Sequence, residues 1–291
     1  LVTGAVGQRG DGVLLATPMY HPFFNVVSVQ DRVLVDVPLI ETRQNGLLRY
    51  EIDFDALEAA ITPQTKLLLF CNPHNPIGRA YTRAELEQVA DICLRHNLIV
   101  CSDEIHCDLI YQAGSHISIA SLSPEIAARS VTLIAPSKTF NLAGLGLGIA
   151  VIPDDDLRAR VTTTAMNMGI HASMPGIVAG TAAYRDGQPW LDELMPYLRD
   201  NRDLLVDYVQ AHFPGVVTTL PEATFLAWLD CRALELPESP YQFFLDKACV
   251  GLNDGAIFGR GGQGFVRLNF GCPRSMLMDG LERMQAALET R

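Results

Sequence analysis

Lysine is almost missing from this sequence. Only Lys66, Lys138 and Lys247 occur among 22 basic residues, so a lysine set among small residues marks a place where arginine cannot serve. Positive charge as a whole is in deficit: 22 Lys plus Arg against 33 Asp plus Glu leave a net charge of −11. No basic stripe offsets that charge, which argues against nucleic acid as a partner. No run reaches the roughly 18 apolar residues of a membrane span, so no membrane partner is expected. CxxC spacing is absent from the seven cysteines (Cys71, Cys93, Cys101, Cys107, Cys231, Cys249, Cys272). An odd set of this kind in a long chain argues for reduced thiols and a cytoplasmic location rather than a disulfide framework. The first residue is Leu1, not Met, with no signal-like segment before the first strand, and the chain reads as a fragment or processed product.

What is present is a core-forming composition, 48% apolar and 19% charged over 291 residues, enough for one large domain or two ordinary ones. Short apolar runs alternate with helical patterns up to Pro153, which predicts βαβ units and an α/β fold with a mainly parallel sheet flanked by helices. The strands are expected at Val13 to Thr17, Val33 to Val37, Lys66 to Phe70, Leu98 to Ser102, Val131 to Ala135 and Leu147 to Ile152. Thr82 with Glu85 forms a capping box ahead of a helix whose apolar face carries Leu86, Val89, Ala90, Cys93 and Leu94.

Beyond Pro153 the pattern changes. A helix near Asp154 to Ala165 leads into a connection rich in Gly, Met and His up to about Pro175. A long helical stretch from Leu191 to His212 is expected to be interrupted early by Pro196. Strands near Thr224 to Leu229 and Phe265 to Phe270 flank a helix at Pro240 to Val250. The last helix lines up Leu277, Leu281, Met284 and Leu288. The expected division is a large domain over residues 1–190 and a smaller C-terminal α+β domain over 191–291.

Five segments at strand ends carry candidate chemistry. In Ala135-Pro136-Ser137-Lys138-Thr139, Lys138 follows a buried strand at the edge where open α/β sheets place ligands, and its amine could serve as a nucleophile; a surface lysine is the alternative. In Ser102-Asp103-Glu104-Ile105-His106-Cys107-Asp108, Asp103 could pair with a cofactor ring nitrogen, against a solvated carboxylate or a weakly supported metal site of Asp103, His106 and Asp108. His106 alone is more often a packing residue. Asn75, in the second of the two Asn-Pro turns of Cys71-Asn72-Pro73-His74-Asn75-Pro76, and Tyr20, in Thr17-Pro18-Met19-Tyr20, could contact a flat ring, or be turn and core residues. Arg267, in an apolar strand, calls for a carboxylate, either a substrate's or an internal one. Gly259, Gly261 and Gly264 have GxGxxG spacing, but a strand follows them, which rejects a dinucleotide fingerprint.

Taken in order, TPMYHPF, CNPHNPIG, SDEIHCDL, APSKTFNLAGL and GFVRLNFGCPRS resemble fold-type I pyridoxal phosphate (PLP) enzymes, most of all the cystathionine or cysteine-S-conjugate β-lyase branch, close kin of class I/II aminotransferases. The resemblance implies a PLP-dependent carbon-sulfur β-lyase acting on a small amino-acid substrate, a cysteine thioether, as a homodimer. It implies Lys138 as the Schiff-base lysine, Asp103 as partner of the pyridine nitrogen and Asn75 as donor to the ring hydroxyl and neighbour of the substrate. It further implies Tyr20 as the stacking aromatic, Ser137 as a phosphate ligand and Arg267 as the holder of the substrate α-carboxylate. His106 stands where related aminotransferases usually carry a tyrosine contacting the ring hydroxyl, and it favours lyase over the rival aminotransferase reading. Two positions depart from the family: Ala135 and Gly146 stand where a serine and an arginine often hold the phosphate. The family's phosphate loop and first helix would precede Leu1, so roughly a quarter of the family's length is not in this chain. That implies poor PLP binding by the polypeptide and leaves open an inactive or regulatory protein on the same fold.

Overall fold

The computed structural model describes residues 1–112, 114 and 116–291. In chain order come β1 (Gly12–Thr17), β2 (Val33–Pro38), a hairpin of β3 (Ile40–Gln44) and β4 (Leu47–Glu51), then β5 (Thr65–Cys71), β6 (Ile99–Asp103), β7 (Ser130–Ile134) and β8 (Ile149–Val151). Six of these form one sheet in the order β2-β1-β5-β6-β7-β8. All neighbours are parallel except β8, which runs antiparallel to β7. Side chains of successive residues leave opposite faces of a strand, and both faces are covered here. Leu14, Leu68, Phe70 and Val100 pack into one core, with the capped helix Arg83–Arg95 and the helix Phe54–Ala59. Val13, Leu15, Leu67, Leu69, Cys101 and Val131 pack into the other, against the helix Asp155–Asn167. Double burial explains why these strands read as continuous apolar runs rather than alternating ones.

The second layer is an antiparallel sheet of β9 (Val217–Thr218), β10 (Leu226–Asp230), β11 (Asn253–Asp254) and β12 (Phe265–Asn269), ordered β11-β12-β10-β9. The helices Pro240–Ala248 and Arg274–Glu289 cover it, and the expected stripe Leu277, Leu281, Met284 and Leu288 is buried in a core of its own. The outer face of β10 and β12 turns toward the large sheet. Trp228 stacks on Phe265 at 5.0 Å between ring centres, and its indole N–H donates to the Tyr50 hydroxyl at 3.2 Å. Arg43 pairs with Asp230 at 3.0 Å and Arg232 with Glu41, so the β3–β4 hairpin clamps the two layers together.

Three features differ from the sequence reading. The hairpin was not expected, although Asn45-Gly46 sits at its turn with both residues at positive φ. A helix, Met174–Asp186, follows the Gly/Met/His-rich connection where no helix was read. It packs through Gly176 and Gly180, where a Cβ would collide with the Leu145 carbonyl or the Leu147 side chain, so it has no apolar stripe to detect. Finally, Pro196 does not interrupt its helix: Gln188–His212 is continuous, crossing residues 190 and 191. Pro196 and Asp192 are both exposed, so the Asp192 carbonyl left without its helical partner faces water.

Candidate active site

The order of the large sheet assembles the site. β1, β5, β6 and β7 are consecutive neighbours, and their carboxyl ends release Tyr20, Asn75, Asp103 with His106, and Lys138 side by side. Arg267, from the middle of β12, meets them from the second layer. A cavity of about 220 Å3 is lined by all six of these residues together with His21, Cys71, Phe225 and Asn269. Ser137 is not among them; it lines an adjoining cavity of about 410 Å3 that shares Lys138, Phe225 and Asn269 with the first.

Asp103 ends β6 half-buried, and one carboxylate oxygen accepts the Ile105 backbone N–H at 3.2 Å. Burial pushes its carboxyl up to about 6, against the opposing pull of that hydrogen bond and of the Lys138 charge. His106 is 2% exposed and packs edge-on to Phe225 at 5.6 Å. Burial, then the charges of Lys138 and Arg267, drives its imidazole down to about 3, so the ring is neutral, and among the described residues Nδ1 has no hydrogen-bond partner. Among the described residues no ion pair involves Lys138, and Arg267 faces no carboxylate within 4.0 Å. The guanidinium instead donates to Asn75 Oδ1 at 2.8 Å and Asn253 Oδ1 at 2.7 Å, lies 4.9 Å over the Phe258 ring, and is half-buried, which lowers its proton affinity. The internal salt bridge weighed for Arg267 is therefore replaced by two neutral amides.

The metal alternative finds no support. Asp108 accepts the Thr139 hydroxyl at 2.9 Å, tying the Lys138 helix to the Asp103 loop. No group of three His, Cys, Asp or Glu side chains is gathered among the described residues as a metal requires.

Several contributors escaped the sequence reading. His74, 1% exposed, bridges the Pro18 carbonyl (Nε2, 2.8 Å) and the Tyr81 hydroxyl (Nδ1, 2.9 Å), joining the loop of Tyr20 to the loop of Asn75. Since Nε2 must donate to a carbonyl, Nδ1 accepts from Tyr81, and burial lowers the imidazole to about 4. Glu104, beside Asp103 in sequence, points the other way into Ser102, Ser118 and His116 at 2.9–3.0 Å, pinning the end of β6. The run SDEIH holds Glu104 in plain view. His74, by contrast, is visible only once β1 and β5 are known to be adjacent.

A third cavity, of about 460 Å3, adjoins the first across Asp103 and Ile105. Both departures from the family pattern, Ala135 and Gly146, line it. Its other walls include Leu133, Ile149, Ala150 and Ala165, and among the described residues no lysine or arginine reaches it.

The family model for aminotransferase class I and II matches residues 2–284. The chain belongs to that family. Cystathionine beta-lyase PatB of Bacillus subtilis is 40% identical over 98% of this chain and 73% of its own length. The crystal structure of cystalysin from Treponema denticola, which contains pyridoxal 5'-phosphate, superimposes with a TM-score of 0.94 at 36% identity, over 99% of this chain and 74% of that one. The PLP-bound C-S lyase from Staphylococcus hominis gives 0.90 at 33% identity, over 99% and 74%. The five motifs thus lie in a class I and II aminotransferase chain that is similar to lyases over nearly its whole length.

Proposed function

We propose that this protein is a PLP-dependent carbon-sulfur β-lyase that cleaves cystathionine or related cysteine S-conjugates, with water, to thiol, pyruvate and ammonia. The observation that carries the reading is the cavity itself: a lysine amine and a guanidinium, neither paired with a carboxylate among the described residues, and a carboxyl raised to about 6 face one small space. The residues fit PLP at its ring end. Asp103 has an oxygen left for a pyridine N–H, and with Oδ1 of Asn75 bonded to Arg267 its amide N–H groups are left for a ring hydroxyl. Tyr20 offers an aromatic face and Lys138 the amine that holds the aldehyde carbon, whereas Ser137, expected on the phosphate, lines the adjoining cavity rather than this one. When bound, PLP supplies an electron-poor ring that stabilises negative charge on the substrate α-carbon. Arg267 orients the substrate carboxylate, and Lys138 Nζ, once free, takes the α-proton. Asp103 keeps the proton on the ring nitrogen, and neutral His106 and Phe225 wall off water.

Aminotransferase is the second reading, since returning the proton from Lys138 to a different carbon gives amino transfer with the same residues. His106, where tyrosine is usual in aminotransferases, and the likeness to lyases favour carbon-sulfur cleavage. Assaying both activities on one preparation with cystathionine tests this, with pyruvate and thiol release expected to outrun amino transfer to any 2-oxo acid. Rapid transfer without thiol release overturns it.

The same reading includes a homodimer, supported by an apolar exposed surface on Met166, Met168, Ile170, Met174 and Val178. It also includes a cytoplasmic location, supported by seven free cysteines. A large domain (1–190) and a small one (191–291) are supported by the second layer's core, built mostly from residues after 191 although Leu109 and Tyr111 join it, while the boundary itself falls inside the continuous helix Gln188–His212.

A further inference from the structure

We propose that Asn253 is a positioning residue for the substrate carboxylate, and that its being an amide rather than an acid keeps Arg267 able to bind that carboxylate. The inference rests on the role given to Arg267 above. In the antiparallel ladder of β11 and β12, Asn253 stands directly opposite Arg267, so the register alone delivers its side chain to the guanidinium. Asn253 Oδ1 takes one N–H of NH2 at 2.7 Å, and Asn75 Oδ1 takes one N–H of NH1 at 2.8 Å. Nε is buried, with no hydrogen-bond partner among the described residues.

Counting donors, a guanidinium has five N–H groups. Two are committed to the asparagines and one is buried, which leaves one on each terminal nitrogen. With the asparagines on the outer hydrogens, those two form the end-on fork that a carboxylate meets with both oxygens. The two amides fix the plane of that fork at both corners, while the Phe258 face 4.9 Å away backs it. Both acceptors are neutral, so the positive charge is oriented without being neutralised. A carboxylate at position 253, opposite Arg267 at the same spacing, would instead form the internal ion pair and compete with the substrate.

Three variants read this out on the PLP-loaded protein. Asn253→Asp is isosteric and is expected to raise KM for the amino-acid substrate by about 10- to 100-fold while kcat stays within about twofold. Asn253→Ala loses an acceptor without adding charge and is expected to raise KM by about 3- to 10-fold. Asn253→Ser, which restores a neutral acceptor, should recover part of that loss. Equilibrium binding of propionate, followed by protein fluorescence, should weaken in the same order, with propionamide binding and PLP affinity unmoved. Propionate binding unchanged in Asn253→Asp overturns the proposal, as does an equal loss of PLP affinity and thermal stability without a KM change. Because the carboxylate is bound in either reaction, failure of the lyase reading would show as wild-type transamination without thiol release, with the propionate series still deciding the role of Asn253.

Discussion

Two cavities meet at Asp103 and differ in kind. The one of about 220 Å3 is crowded with Asn75, His106, Lys138 and Arg267; its neighbour of about 460 Å3, lined by Ala135, Gly146, Ile149 and Ala165, is twice as large and nearly bare of charge. Volume does not mark the chemistry. Convergence does: the smaller space collects the ends of four adjacent strands and one strand of a second sheet, whereas the larger is walled by the antiparallel pair β7–β8, the glycine-rich loop between them, Ala165 and the 170–172 connection, and meets the other strand ends only at Asp103 and Ile105. Each prediction that follows alters one side of this contrast.

The severest change is to remove the amine. Lys138→Ala should lower turnover by about a thousandfold or more, since the group proposed to move the α-proton is gone. Borohydride trapping of PLP followed by peptide mapping should label Lys138 in the wild type; label on Lys66 or Lys247 instead would break the contrast outright.

Asp103→Asn should cost about a hundredfold in turnover, because an amide cannot hold the ring nitrogen protonated. The same substitution should stabilise the cofactor-free protein. The folded carboxyl is raised to about 6 from an ordinary 3.8, so its contribution is fully present below 3.8 and is lost as pH rises through 6. Thermal melts at pH 8 should rise by about 2–4 °C in Asp103→Asn, and the gain should vanish below pH 4. Equal melts at pH 8 would mean that this carboxylate is well solvated.

Arming the bare cavity is the converse experiment. Gly146 has open space around its Cα but a φ of +64°. Gly146→Arg would add charge-assisted donors worth about 1.5–3 kcal/mol against about 1 kcal/mol of left-handed strain. PLP should bind about 3- to 10-fold more tightly in a spectral titration, with turnover per bound cofactor unchanged.

The smallest effect on turnover concerns the wall of the crowded cavity. The His74 imidazole is lowered to about 4, while an unfolded histidine protonates near 6.5, so stability should fall as pH drops from 6.5 toward 4, by up to about 3 kcal/mol. His74→Gln should flatten that limb in denaturant titrations while leaving turnover at pH 8 nearly intact.

The crowded cavity was largely legible in sequence because each residue sits in a motif that ends an apolar run, and doubly buried strands announce themselves. What joins the motifs was not legible. Strand order put Tyr20 beside Asn75, and only ladder register put Asn253 opposite Arg267. The helix Met174–Asp186 escaped because glycine contacts, unlike leucine contacts, leave no periodic signal. Pro196 misled because a proline on a solvated helix face loses a hydrogen bond to water rather than a helix.

The bond between Arg267 and Asn75 joins residues 192 positions apart. A half-made chain, or one with only the large sheet closed, has no such cavity, because the loop between these residues must close before the guanidinium arrives. Ligand binding here therefore acts as a completion signal for folding: any molecule that engages Lys138 and Arg267 together binds only the finished molecule. It should slow global unfolding and protect the β5–β12 connection from proteolysis in proportion to its concentration over its dissociation constant.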